Sequence, residues 1–330
     1  MLGGFHCINA FGSIEPDDDV KFKRFLEIAG PPSRTTIYIN STGGNVEAAI
    51  GIGRLIREGW FSTSIGSYHL STAIPDIPMV KRELLAGRCY SAATLVYLGG
   101  KLRYFSDGSE FGVHQFSYKD PTPENLVLSQ ALSAKIAQFI VDMEISLGFM
   151  EISSSTPSGE INIIDLELLR TLGVVTGGVT DVKWSVQARS HTMYVRGERD
   201  SLFGHHKVML AYIKGVGFHF WGFIEAQGRE EELTSFGLVE VVVNDEDTRI
   251  DISDCCVRSV SGIYVNILAK LTQDEARLLA FSESFGVQVR FSSEVGVFFG
   301  IAPMSTNGGR EELETLFSCF SDEPTPSGEV

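Results

Sequence analysis

Short apolar runs alternate with amphipathic segments through the first half of the chain. Phe5 to Phe11 reads as a strand. Asp17 to Ile28 reads as a helix with Val20, Phe25 and Ile28 as core contacts. Thr36 to Asn40 reads as a buried strand that runs into Gly43-Gly44. Asn45 is placed to cap a helix on which Ala49, Ile52 and Ile56 share one face. Phe61 to Ser67 reads as another strand. This order predicts α/β layers, with helices covering a sheet.

Tyr68 to Leu85 carries two prolines and no clear period. It reads as a surface loop or a lid over the next segment of the chain. Ser91 to Leu98 predicts an apolar helix closed by Gly99-Gly100. Lys101 to Phe105 and Glu110 to His114 read as strands. The longest helix is expected over Pro123 to Leu147, with Thr122 as its cap and Gly148 as its stop. Leu128, Leu132, Ile136, Phe139, Met143 and Leu147 form one stripe, long enough to pack against another subunit. A Ser/Pro/Gly stretch, Ser153 to Gly159, precedes a short helix, Asp165 to Leu172, that ends at Gly173.

Near Val179 to Val182 the composition changes to strand-rich. We therefore divide the chain into domains at 1–180 and 181–320, with a disordered tail at 321–330. The second domain reads as α+β with a weak internal echo. Val216 to Phe236 and Glu294 to Phe317 each run from an aromatic strand through a small-residue turn into GREE and a helix.

Hydrophobic residues make up 43% of the 330, enough for a real core. The formal charge of −15 argues against nucleic acid and anionic membrane as partners. Five cysteines without a framework fit a reducing, cytoplasmic setting. The N-terminus reads poorly as a signal peptide, and no apolar run nears the roughly 20 residues of a membrane helix.

The chemistry lies in three ordered stretches: INSTGGNV at Ile39 to Val46, GRCYSAATLVYLGG at Gly87 to Gly100, and VHQ at Val113 to Gln115. Acyl transfer needs backbone donors for an oxyanion, a nucleophile and a base. Gly44, beside Gly43, and Ala92 are the candidate donors, Ser91 the nucleophile and His114 the base. The plain alternatives are a small residue filling a helix start and a hydrogen-bonded core histidine.

These stretches resemble the proteolytic subunit of the Clp protease, and more closely its standalone Clp-protease-like relatives, over about Phe5 to Thr176. The resemblance implies a Clp-protease/crotonase-like fold of repeated β-β-α units and serine peptidase activity on peptides or unfolded protein. It places the nucleophile on Ser91, the base on His114 and the oxyanion donors on Gly44 and Ala92. Thr42 stands where the family usually has proline. The triad acid falls on Ile161, an apolar residue, flanked by Glu160 and Asn162. Asn162 would complete a triad after a one-residue slip; otherwise a Ser-His dyad acts. Asp165 reads as a helix cap. No metal or cofactor is implied. A homo-oligomer through the 123–147 helix is expected. Barrel stacking and an ATPase partner are not carried over, so turnover is expected to be ATP-independent. The alternatives are an inactive peptide- or protein-binding module and a crotonase-type thioester enzyme.

Other motifs take plainer readings. His205-His206 beside Asp200 reads as a solvated turn rather than a metal site. Cys255-Cys256 reads as two packed cysteines. The FHFWGF run reads as sheet core.

Overall fold

A computed structural model describes residues 6–70, 82–116, 123–244 and 248–321. The chain divides into two compact units, Met1–Gly178 and Val179–Val330. Both are mixtures of helix and sheet.

In the first unit, β1 (Cys7–Phe11), α1 (Asp18–Ala29), β2 (Thr36–Asn40), α2 (Val46–Glu58) and β3 (Ser62–Ile65) follow in order. A hairpin of β4 (Ser67–Leu70) and β5 (Arg82–Leu85) comes next, then β6 (Arg88–Tyr90), α3 (Ala92–Leu98), β7 (Arg103–Tyr104) and β8 (Glu110–Val113). The unit closes with α4 (Pro123–Asp142), α5 (Gly148–Ser155), β9 (Asn162–Ile163) and α6 (Leu166–Thr171). β1-β2-β3-β7 form one parallel sheet. β6-β8-β9 form a second, with β6 and β8 parallel and β9 antiparallel. Ile37, Ile39, Ile56, Leu95, Phe111 and Phe139 fill the core.

Several expectations need correction. On α1, Val20 and Ile28 are 62% and 76% exposed; Phe22 and Leu26 face the core instead. The long helix stops at Asp142, because Glu144 takes a left-handed conformation (φ 62°) and the chain turns there. Gly148 opens α5 rather than ending α4, and α5 runs into the stretch read as irregular. Thr122 and residues 71–81 lie outside the described residues. Asn45 and Asp165 cap α2 and α6 through the amides of Ala48 and Leu168, each at 2.9 Å.

Arg103 ties the end of this unit to its middle. It is 4% exposed and donates to the carbonyls of Gly100, Gly173 and Val174 at 2.7–2.8 Å. Burial pulls its pKa down to about 10, so it stays charged at neutral pH.

The second unit contains β10 (Lys183–Arg189), β11 (Thr192–Ser201), β12 (Gly204–Ile213), β13 (Gly217–Glu225), α7 (Glu230–Ser235) and β14 (Leu238–Val243). β15 (Thr248–Asp251), β16 (Cys256–Ser261), β17 (Tyr264–Lys270), α8 (Gln273–Ala280), β18 (Ser284–Arg290), β19 (Phe299–Ser305) and α9 (Arg310–Phe320) follow. The strands make antiparallel sheets β10-β11-β12-β13-β17-β16 and β15-β14-β18-β19. Both GREE segments open helices after aromatic strands, β13 into α7 and β19 into α9. Phe218 and Phe220 of β13 are core residues.

Cys255 is exposed rather than packed. His205 and His206 sit within β12, not in a solvated turn. His206 is 3% exposed, while His205 meets Asp200 at 3.2 Å and Glu198 at 3.7 Å. Burial alone would lower the His205 pKa, but the two carboxylates outweigh it and raise it above 6.5. No described helix is long and apolar enough to cross a membrane.

We expect Arg103→Met to destabilise the first unit by roughly 3 kcal/mol in urea denaturation. Each buried carbonyl left bare costs about 1–3 kcal/mol, and lost arginine desolvation offsets part of that. A change below about 1 kcal/mol would contradict this role. A histidine with a raised folded-state pKa stabilises fully below its unfolded value and loses that contribution as pH rises through the folded value. The unfolding midpoint of the second unit should therefore fall as pH climbs past 6.5. His205→Gln should remove that fall.

Candidate active site

Strand β2 ends where the parallel sheet meets the β6-β8-β9 sheet. Beyond it, Ser41 bridges to Cys89: the Ser41 amide donates to Arg88 at 2.7 Å and the Tyr90 amide donates to Ser41 at 3.0 Å. The outgoing chain therefore runs beside β6, which delivers Ser91.

Gly43 and Gly44 then turn the chain into α2, with φ of 104° and 142°. These angles favour glycine, and so does the space. A Cβ on Gly43 would lie 2.8 Å from Ser91 Cβ and 3.0 Å from the Ala92 nitrogen; one on Gly44 would lie 2.2 Å from the Ile14 oxygen. The Gly43 carbonyl accepts from the Ile14 amide, and the Asn45 amide donates to the Ile14 carbonyl. The Gly44 amide between them points away from Ile14, at an exposed position. It has no acceptor among the described residues.

Ser91 sits on a sharp strand-to-helix turn between β6 and α3, with φ 54° and ψ −129°. A non-glycine residue there carries strain of order 1–3 kcal/mol. Its backbone is held throughout: its amide donates to Gly112 at 3.0 Å, and its carbonyl accepts from Thr94 Oγ1 at 2.7 Å. All seven α3 residues are buried, which offsets the strain. The Ser91 Oγ is half-buried, with no hydrogen-bond partner among the described residues. Ala92 is fully buried, yet its amide also lacks a described acceptor.

His114 directly follows β8. The parallel register Tyr90↔Gly112 sets Ser91 and His114 at the same end of adjacent strands. The half-buried imidazole bonds through Nδ1 to the Gln115 carbonyl at 2.9 Å. A carbonyl only accepts, so Nδ1 is the donor in this contact, and in the neutral imidazole the lone pair is then on Nε2. No hydrogen bond joins His114 to Ser91 among the described contacts.

Asn162 pairs with Val113 on β9, next to the histidine segment. Strand alternation turns its side chain away from the face of Ile161 and Ile163, whose methyl groups lie against Gly112. Asn162 makes no described hydrogen bond to His114; its side chain is exposed. Continuing the register sets Ile161 opposite His114. Asp165 is occupied as the α6 cap.

Sequence reasoning missed the Gln115 carbonyl, since any residue type supplies one. It also missed Ile14, which wedges the turn from behind. No described group of His, Cys, Asp or Glu is arranged to hold a metal.

No family model matches the chain, and no curated protein matches it. Among solved structures, a point mutant of ClpP1 from Listeria monocytogenes is similar at 17% identity. Its TM-score is 0.39, over 52% of this chain and 90% of that one. ClpP1 from the same organism gives 17% identity and a TM-score of 0.37, over 52% of this chain and 88% of that one. Likeness at this level assigns neither an activity nor a site residue.

We expect Gly43→Ala to destabilise the first unit by about 1–3 kcal/mol from backbone strain alone. Thermal melting of the purified variant checks this, and a melt unchanged from the parent would contradict the close contact with Ser91.

Proposed function

We propose that this chain is a serine hydrolase of the Clp-protease-like kind, acting on peptide bonds through a Ser-His dyad. The observation that carries the reading is the strained Ser91 turn pressed against Gly43, with a hydroxyl and two amides that have no hydrogen-bond partner among the described residues.

In this reading Ser91 Oγ attacks the scissile carbonyl carbon. His114 Nε2 takes the hydroxyl proton and returns it to the leaving amine. Water then attacks the acyl-enzyme, and the same nitrogen relays its proton. The Gly44 and Ala92 amides hold the oxyanion, each donor being worth about 3–4 kcal/mol. The Gln115 carbonyl keeps the imidazole in the required tautomer, the task a carboxylate performs in a full triad. The Ser91–His114 hydrogen bond forms when substrate draws the hydroxyl and Nε2 together with Nδ1 still on the Gln115 carbonyl, since such bonds commonly tighten only in the complex. Asn162 takes no part.

Ile136, Phe139 and Met143 of the expected stripe are buried in the unit's own core, so assembly with further copies through α4 would use its exposed Val127, Leu128 and Val141. The substrate would be an extended peptide or unfolded protein. An odd number of cysteines without a framework fits a cytoplasmic location.

An inactive binding module is the second reading. It is favoured by Ile161 opposite His114 and by the absent Ser91–His114 bond.

Fluorophosphonate labelling with peptide turnover separates the two. We expect the parent to label and Ser91→Ala to lose both signals. His114→Ala should slow turnover by about 10²–10⁴-fold, and Asn162→Ala should leave it unchanged. Labelling that persists in Ser91→Ala would reject this nucleophile. A parent that retains peptide without labelling would select the binding module.

A further inference from the structure

Between α1 and the parallel sheet lies a cavity of about 340 Å³, within the ~300–1,000 Å³ range of small-molecule sites. It does not include Ser91, Ala92, His114 or Gly44. Phe22 and Phe25 of α1 face Ile39, Ile52 and Val96 across it.

Residues of α1 form one wall of the cavity. Near its start, Asp19 packs onto α2 at Gly51, where a Cβ would fall 2.7 Å from the aspartate. Farther along, Phe22 and Leu26 pack against the core, yet none of the helix's residues is fully buried. Phe25 remains 43% exposed although it lines an apolar space.

Two polar features define what fits. Ser41 lines the cavity and is 8% exposed. Its Oγ accepts from the Gly43 amide at 3.1 Å, while its own proton has no acceptor among the described residues. The charged lining residues, Asp18 and Lys21, are paired with each other at 2.7 Å. They offer no net charge to an ionised head group.

We propose that this cavity binds a neutral, medium-chain carbonyl compound, such as a ketone, ester or lactone. The hydrocarbon body lies between α1 and α2, and the carbonyl oxygen accepts the Ser41 proton. No bond is made or broken. Because the same Oγ holds the Gly43 amide, occupancy alters the environment of that amide, next to Ser91.

The test is titration of the intact protein with 2-nonanone and with nonanoate, by calorimetry and by NMR of isoleucine methyl groups and the Gly43 amide. We expect 2-nonanone to saturate one site and shift the Ile39, Ile52 and Gly43 signals. Nonanoate should bind at least about tenfold more weakly, as should 2-nonanone to Ser41→Ala, the effect of one lost hydrogen bond. Ile52→Phe fills the space and should abolish binding even if Ser41→Ala disturbs the turn. Failure of 2-nonanone to bind, equal binding of nonanoate, or unchanged binding by folded Ile52→Phe would each overturn the proposal. None of these readouts uses hydrolysis, so their failure is distinct from failure of the hydrolase assignment.

Discussion

No side chain can stand between the Gly43-Gly44 turn and its two neighbours. Ser91 presses on it from one side and Ile14 from the other, both closer than a Cβ would permit. This exclusion fixes the turn more firmly than any one hydrogen bond. It dictates which carbonyl and which amide reach Ile14, and so which amide is left over. The exposed Gly44 N–H is a consequence of packing on the far side of the turn.

The same contact depends on Ser91 holding a backbone conformation that serine disfavours. That conformation persists because the elements on either side leave no choice. β6 is pinned between the outgoing β2 chain and β8, and α3 is buried along its whole length. Relaxing Ser91 would require moving a helix from the core. Strain of about 1–3 kcal/mol is small beside the burial of several apolar side chains at roughly 1.5–3 kcal/mol each. The rigid support and the strained turn therefore belong to one arrangement.

Much of this is legible in the sequence wherever local chemistry decides structure. Asn45 and Asp165 announce their helices, and the Gly43-Gly44 pair announces a turn. The faces of α1 are harder, because Val20 and Ile28 are apolar yet Phe22 and Leu26 reach the core; periodicity alone fixes no rotation. The end of α4 is misplaced by sequence because Gly148 looks like a stop, while Glu144 adopts the left-handed turn without glycine. His205 reads as surface, and only the register Asp200↔His205 reveals a partly buried pair. The backbone partner of His114 has no sequence signature at all. Ile161 is legible as an anomaly, and continuing the register of β9 explains it: that position lies opposite His114 and holds no acid.

The most direct measurement is a crystal structure of the intact protein after treatment with diisopropyl fluorophosphate. We expect phosphorus bonded to Ser91 Oγ, with its phosphoryl oxygen within hydrogen-bond distance of both the Gly44 and Ala92 amides. The His114 Nε2 should face the modified serine, with Nδ1 still on the Gln115 carbonyl. An unmodified Ser91, or a phosphoryl oxygen directed to solvent with both amides engaged elsewhere, would contradict the proposed site.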